Sequence, residues 1–205
     1  MEYGYFKYYK PGTLVALLVI LAILLFLAKD YWGISFSIIS IISGLLIVID
    51  KWLWKFRPFL WLFWIDDFSG RYEGFLEYEY RDENCQIKTG NLKHSKVIHQ
   101  TGSKITIFSF TIKPDGTDSS LSESQGLYVE KTNGDNHFNL IYSYLNQGSQ
   151  EQGFSPHYGT EIIKVIGTKE NRKLSGRYFT ERLPLSTKGK FTDLKWVDRN
   201  EQHDF

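Results

Sequence analysis

The sequence predicts a mainly β protein: a small up-and-down antiparallel β-barrel of about eight strands, preceded by a two-helix transmembrane hairpin. Three observations carry this. Residues 11–28 and 31–49 contain no charged side chain, over 18 and 19 residues. From residue 66 onward, short runs alternate apolar or aromatic with polar residues at a period of two, the strand signature. The separators between those runs are turn chemistry, as in KPDGT at Lys113 and TNGDN at Thr132.

Each apolar segment is long enough to cross a bilayer core of about 30 Å at about 1.5 Å of rise per residue. Leu14 to Leu27 is apolar on every face, which argues against a buried helix of a soluble protein. The run exceeds a usual signal-peptide core, and no small-residue cleavage site precedes Lys29. Only Lys29 and Asp30 separate the spans, so both ends should emerge on one side. Lys7, Lys10, Lys51, Lys55 and Arg57 flank the hairpin against Lys29 alone at its tip. That bias places the N-terminus and the C-terminal domain in the cytoplasm of a multi-pass inner-membrane protein. Trp61 and Trp64 in FLWLFW fit either an interfacial aromatic belt or core packing of the next domain. The expected division is therefore 1–57 for the membrane region, 58–65 for a juxtamembrane aromatic linker and 66–205 for the barrel.

Of 24 Lys and Arg and 23 Asp and Glu, six and three fall in residues 1–57, leaving 18 basic against 20 acidic in the remainder. Such a balance excludes a basic face for long DNA or RNA. The single cysteine, Cys85, allows no internal disulfide and fits a reducing compartment.

The first strand is expected at Gly70–Arg81, with Tyr72, Gly74, Leu76, Tyr78 and Tyr80 inward. Further strands are expected at Ser95–Gln100, Lys104–Lys113, Leu121–Lys131, His137–Leu145, Gly159–Gly167, Leu174–Arg182 and Gly189–Val197. Closure into a barrel removes exposed edges. The separator from Asn146 to Pro156 is either a lid or a plain surface loop. SGRY occurs twice, at Ser69 and Ser175, each time opening a strand with glycine and tyrosine facing inward.

Carried through, the alternation points Tyr78, Tyr80, Ser109, Thr111, Tyr142, Tyr144, Tyr178, Thr180 and Arg182 inward. So many hydroxyls and a guanidinium suit a polar cavity for a small ligand, or else a polar rim facing water. Arg182 and Thr180, with Tyr78, Tyr80, Tyr142 and Tyr144 on neighbouring strands, fit a small anion carrying aromatic bases, since arginine forks onto phosphate and tyrosine stacks. STKG at Ser186–Gly189 adds hydroxyls and a lysine, or is simply a hairpin turn. Catalytic signals are weak. The five histidines and one cysteine show no metal-ligand spacing, and neither a phosphate loop nor a GxSxG elbow is present. The residues lead to a non-enzymatic binding protein without metal or cofactor.

The hairpin, the strand-only domain and the segments YFTERLPLSTKG, HYGTEIIK and KVIHQTGSKITIFSF together resemble a known family. It is that of the two-transmembrane β-barrel effectors of CBASS anti-phage signalling. The resemblance implies a barrel that receives a 3′,3′-linked cyclic dinucleotide made by a partner CD-NTase. Binding would drive homo-oligomerisation of the membrane helices, disrupt the lipid bilayer of the inner membrane and abort infection. It further implies ligand contacts at Tyr178, Thr180, Arg182, Thr187 and Lys188. The competing expectations are a membrane-tethered lipocalin-like carrier of a hydrophobic ligand and a hydrolase of the cyclic nucleotide.

Overall fold

A computed structural model describes residues 4–33, 35–82, 84–113, 115–132, 137–148, 155–167, 171–181 and 186–203, without the side chains of 118 and 119. The chain divides into two compact units, residues 1–67 with 100–104 and residues 68–99 with 105–205.

In the first unit, α1 spans Pro11–Trp32 and α2 spans Ile38–Val48, continued by a π-helical turn at Ile49–Leu53. Proline pre-sets the first turn of α1, and Gly33 ends it in the left-handed region at φ 61°. Ser37 caps α2 by accepting the Ser40 N–H at 3.3 Å. Two consecutive helices are present, but the break between them lies later than expected. Lys29 and Asp30 do not break the first helix but form part of its last turns, and Tyr31 and Trp32 belong to it as well. Charge next to water does not stop a helix, whereas glycine in a left-handed conformation does. Among the described residues only α1 is long and apolar enough to cross a membrane. With 11 residues, α2 is about 16 Å long, roughly half a bilayer core.

Val15, Val19, Ile20, Ile23, Leu24, Phe26 and Leu27 of α1 are each more than half exposed. A continuous apolar face of that kind belongs in lipid or against a partner. Nearer its start, α1 packs through Leu14, Leu17 and Leu18 into a cluster with Leu46, Ile49, Leu53, Trp54, Leu62 and Phe63. Arg57–Leu60 forms the short α3. Of the two ambiguous tryptophans, Trp61 is exposed, and Trp64 rests on Tyr8 with its Nε1 donating to the Lys7 carbonyl at 3.2 Å. Buried Asp50 accepts from Tyr9 Oη at 3.4 Å and Ser103 Oγ at 3.0 Å, and its carbonyl accepts the Gly102 N–H at 2.9 Å.

The second unit is the barrel. Its strands are β1 Gly70–Arg81, β2 Ile87–Gln100, β3 Ile105–Ile112, β4 Asp118–Lys131, β5 Phe138–Asn146, β6 His157–Ile166, β7 Lys173–Thr180 and β8 Thr187–Asp198. They follow one another in sequence order around a closed barrel. Antiparallel pairing of β1 with β8 closes it, from Arg71 opposite Asp198 to Tyr80 opposite Thr187.

Several strand ends differ from expectation, β4 starting at Asp118 and β7 ending at Thr180, and two differences bear on the cavity. β2 begins at Ile87 because its first half pairs with β1 while carrying mostly polar, exposed residues, so its sequence lacks an apolar alternation. Thr187–Gly189 of STKG is already strand, opposite Tyr80, Glu79 and Tyr78. Most of the Asn146–Pro156 separator lies outside the described residues, as do residues 133–136 of TNGDN.

One end of the barrel interior is solid. Tyr72, Ile98, Ile107, Leu140, Ile163, Val165, Leu174 and Leu194 are buried there, at 0–3 % exposure. Phe68 and Phe138 meet edge to face at 5.2 Å, the Arg172 guanidinium lies 5.8 Å from the Phe68 ring centre, and Tyr72 Oη donates to the Phe68 carbonyl at 2.9 Å. The first SGRY tyrosine therefore serves this plug. The second, Tyr178, lines the open half.

Candidate ligand cavity

The other half of the barrel encloses a cavity of about 610 Å³, within the roughly 300–1,000 Å³ range of small-molecule sites. Period-two alternation along closed strands aims its lining inward. Tyr78 and Tyr80 come from β1, Thr111 from β3, Tyr144 from β5, Tyr178 and Thr180 from β7, and Thr187 from β8. With Ser109 of β3, eight of the residues singled out in the sequence thus meet in one space.

Two are placed otherwise, and a third is not described. Tyr142 is buried beneath the cavity, with Oη donating to Glu161 Oε2 at 2.6 Å. Lys188 sits outside. One residue beyond inward-facing Thr187, it takes the opposite face, pairs with Glu79 at 3.1 Å and lines an external groove with Arg177 and Phe179. Arg182 lies outside the described residues.

Cross-strand glycines set the tyrosine rings. Tyr78 stands opposite Gly90, Tyr144 opposite Gly159 and Tyr178 opposite Gly189. A Cβ at each glycine would fall closer to the facing ring than the 3.0 Å that real Cβ atoms respect. The rings therefore lie down on the bare strands and leave the centre open. Tyr78 and Tyr80 are stacked with centres 6.2 Å apart.

Below the tyrosines is an ionic floor that sequence reasoning missed. Lys96 Nζ lies 2.8 Å from Glu161 Oε1 and donates to Ser109 Oγ at 2.7 Å, with Tyr142 Oη at 3.5 Å and the Phe191 ring centre at 5.0 Å. Both charged side chains are at most 5 % exposed. Desolvation pulls the Lys96 ammonium below its ordinary pKa, opposed by attraction to Glu161. Desolvation, reinforced by Glu161, pushes the Tyr142 and Tyr144 hydroxyls up, so both stay protonated.

His94 completes the floor. It is 4 % exposed and lines the cavity, with Nδ1 3.3 Å from Thr111 Oγ1. Desolvation, then the nearby Lys96 charge, hold its pKa well below 6.5, so the imidazole is neutral at pH 7. A hydrogen bond to the Phe110 backbone takes a ring N–H. Nε2 is buried without a partner, as is Thr187 Oγ1, and the tautomer decides whether it offers an N–H or a lone pair.

The signal for these residues was present. Leu92, His94, Lys96, Ile98 and Gln100 share one face of β2, and Gly159, Glu161 and Ile163 share one face of β6. His157 also lines the cavity, with Nδ1 3.0 Å from the Ser155 carbonyl. Among the described residues no group of three or more His, Cys, Asp and Glu is placed to hold a metal.

Comparison with known proteins gives one assignment. The family model described as "Cap15, cyclic dinucleotide receptor domain" matches residues 63–195. No curated protein and no solved structure matches the chain significantly. The match takes in β1 to β7 and most of β8, hence every described wall of the cavity, and the chain belongs to the Cap15 cyclic dinucleotide receptor family.

Proposed function

We propose that the protein is a CBASS effector whose barrel cavity binds a 3′,3′-linked cyclic dinucleotide and whose N-terminal helices then assemble and breach the inner membrane. The observation that carries this reading is the barrel cavity, walled by tyrosine rings and edged by hydroxyl, amide and charged groups. Two bases and two phosphates need flat stacking faces and polar edges in one enclosed space. Tyr78, Tyr144 and Tyr178 supply the faces, and Thr111, Thr180, Thr187 and Asn146 supply the edges. A hydrophobic cargo would desolvate the partly exposed polar groups of the lining, among them Lys113, His157 and Tyr80, without giving them partners, which disfavours a lipocalin-like carrier. No step calls for catalysis.

The exposed apolar face of α1 supports the membrane role. The basic bias of the flanks supports a cytoplasmic barrel, where a CD-NTase would release its product. If the ligand binds the assembled state more tightly than the single chain, mass action drives homo-oligomerisation, and loss of the bilayer barrier ends the infected cell.

The test has two arms. Full-length protein in detergent, titrated with 3′,3′ cyclic dinucleotides, should gain about 2.7 kcal/mol of stability at a hundred-fold excess over Kd. Expressed with its synthase in cells, it should depolarise the inner membrane only when residues 1–57 are present. No shift with any cyclic dinucleotide defeats the reading.

A further inference from the structure

We infer that the cavity takes its ligand base-first: one nucleobase reaches the floor and gives an exocyclic amino N–H to His94 Nε2, while the phosphates stay toward the open end. This rests on the cyclic dinucleotide reading and adds to it an orientation and a base class.

The argument starts from charge. The cationic group at the floor, Lys96, is committed to Glu161 at 2.8 Å and to Ser109 at 2.7 Å. A phosphate driven to that depth would meet the Glu161 carboxylate and compete for a lysine already neutralised. With the His94 N–H on Nδ1, which we infer together with this orientation, the unpaired acceptors there ask instead for an uncharged donor. His94 Nε2 is buried without a partner, and Glu161 receives one donor on each oxygen, from Lys96 and Tyr142, leaving a lone pair on each. Adenine, guanine and cytosine each carry an amino group that such acceptors satisfy. Uracil has no exocyclic amino group, and its one donor, N3–H, is flanked by two carbonyls that would face the same acceptors. At the other end the lining includes Lys113, Tyr80 and His157, all partly exposed. A phosphate placed there keeps part of its hydration.

The inference is tested on full-length protein in detergent, using calorimetric titration with 3′,3′-cyclic di-AMP, di-GMP, di-CMP and di-UMP across a salt series. Wild type should bind at least one amino-bearing dinucleotide and bind di-UMP at least ten-fold more weakly. His94→Leu should lose about 5- to 150-fold for the amino-bearing ligand with an unchanged salt slope, and His94→Gln, whose amide oxygen can accept, should recover part of the loss. Lys113→Ala should instead flatten the salt slope. A ligand-side measurement is independent of any mutant's folding: replacing adenine by purine, which lacks the amino group, should weaken wild type comparably. Equal binding of di-UMP, an unaffected His94→Leu protein, a purine analogue as tight as the parent, or a salt slope lost at His94 rather than Lys113 each overturns the inference. If no cyclic dinucleotide binds wild type at all, the functional reading itself fails.

Discussion

Gly90→Ala probes how the cavity is kept open. Of the three glycines facing a tyrosine, Gly90 is the one whose crowded neighbours are all atoms of a single side chain, Tyr78 Cζ, Oη and Cε1. No backbone need move, so the methyl must tip the Tyr78 ring off β2 and into the cavity. Overpacking of this kind costs about 1–3 kcal/mol. Relief of glycine's entropy in a strand interior returns about 0.5–1 kcal/mol. The ligand-free barrel can shed the strain by letting the ring swing inward, so its stability should change by about 0–2 kcal/mol. At about 2–4 °C per kcal/mol, the unfolding midpoint should drop by no more than about 8 °C. A ligand must push the ring back, so the strain reappears in binding as a loss of about 5- to 150-fold in affinity. Calorimetry on wild type, Gly90→Ala, Tyr78→Leu and the double variant measures both quantities. In the Tyr78→Leu background Gly90→Ala should cost nothing. If Gly90→Ala alone changes neither stability nor affinity, the ring is not held against Gly90 and the reasoning is refuted.

Other outcomes follow from the same geometry. Removing one member of the buried pair, as in Glu161→Gln or Lys96→Met, should cost about 3–5 kcal/mol in chemical denaturation, because the other charge is stranded. Replacing both by apolar residues should recover much of it. Stability should also fall on acidification. The unfolded His94 takes up a proton near pH 6.5 whereas the native imidazole resists it, so the unfolded state binds more protons and destabilisation grows below pH 6.5, by at most 1.36 kcal/mol per pH unit from this residue. The difference between wild-type and His94→Gln melting midpoints, followed from pH 7.5 downward, isolates that slope. Lys188→Ala, which loses only an exposed outer ion pair to Glu79, should leave ligand affinity within two-fold and stability within about 1 kcal/mol. Arg182→Ala is expected to weaken binding more than Arg177→Ala in the same titration; equal losses would contradict the inward register assigned to Arg182.

The barrel was legible because seven of its strands carry an apolar or aromatic inner face that survives in sequence as alternation. Tyr78, Tyr144 and Tyr178 could be placed inward from that alone. β2 was half hidden: where it frames the cavity its inner face is Leu92, His94 and Lys96, a composition that reads as solvent-facing until Glu161 is brought opposite from β6. The glycine beds of the tyrosines were illegible for a related reason, since Gly90 and Tyr78 belong to different strands and only register joins them. Lys188 came in with the STKG segment and the family resemblance, although one step along a strand from Thr187 reverses the face. At the N-terminus the charges Lys29 and Asp30 looked like a break, while the actual punctuation was the conformation of Gly33.

The most direct test of the central claim is calorimetric titration of the full-length protein with 3′,3′ cyclic dinucleotides, run beside native mass spectrometry of the unliganded sample. Saturable binding to an otherwise empty cavity, lost when Tyr178 and Thr180 are replaced together by Leu and Val, is the expected result. A cavity already filled by a co-purified lipid, with no heat from any cyclic dinucleotide, would contradict it.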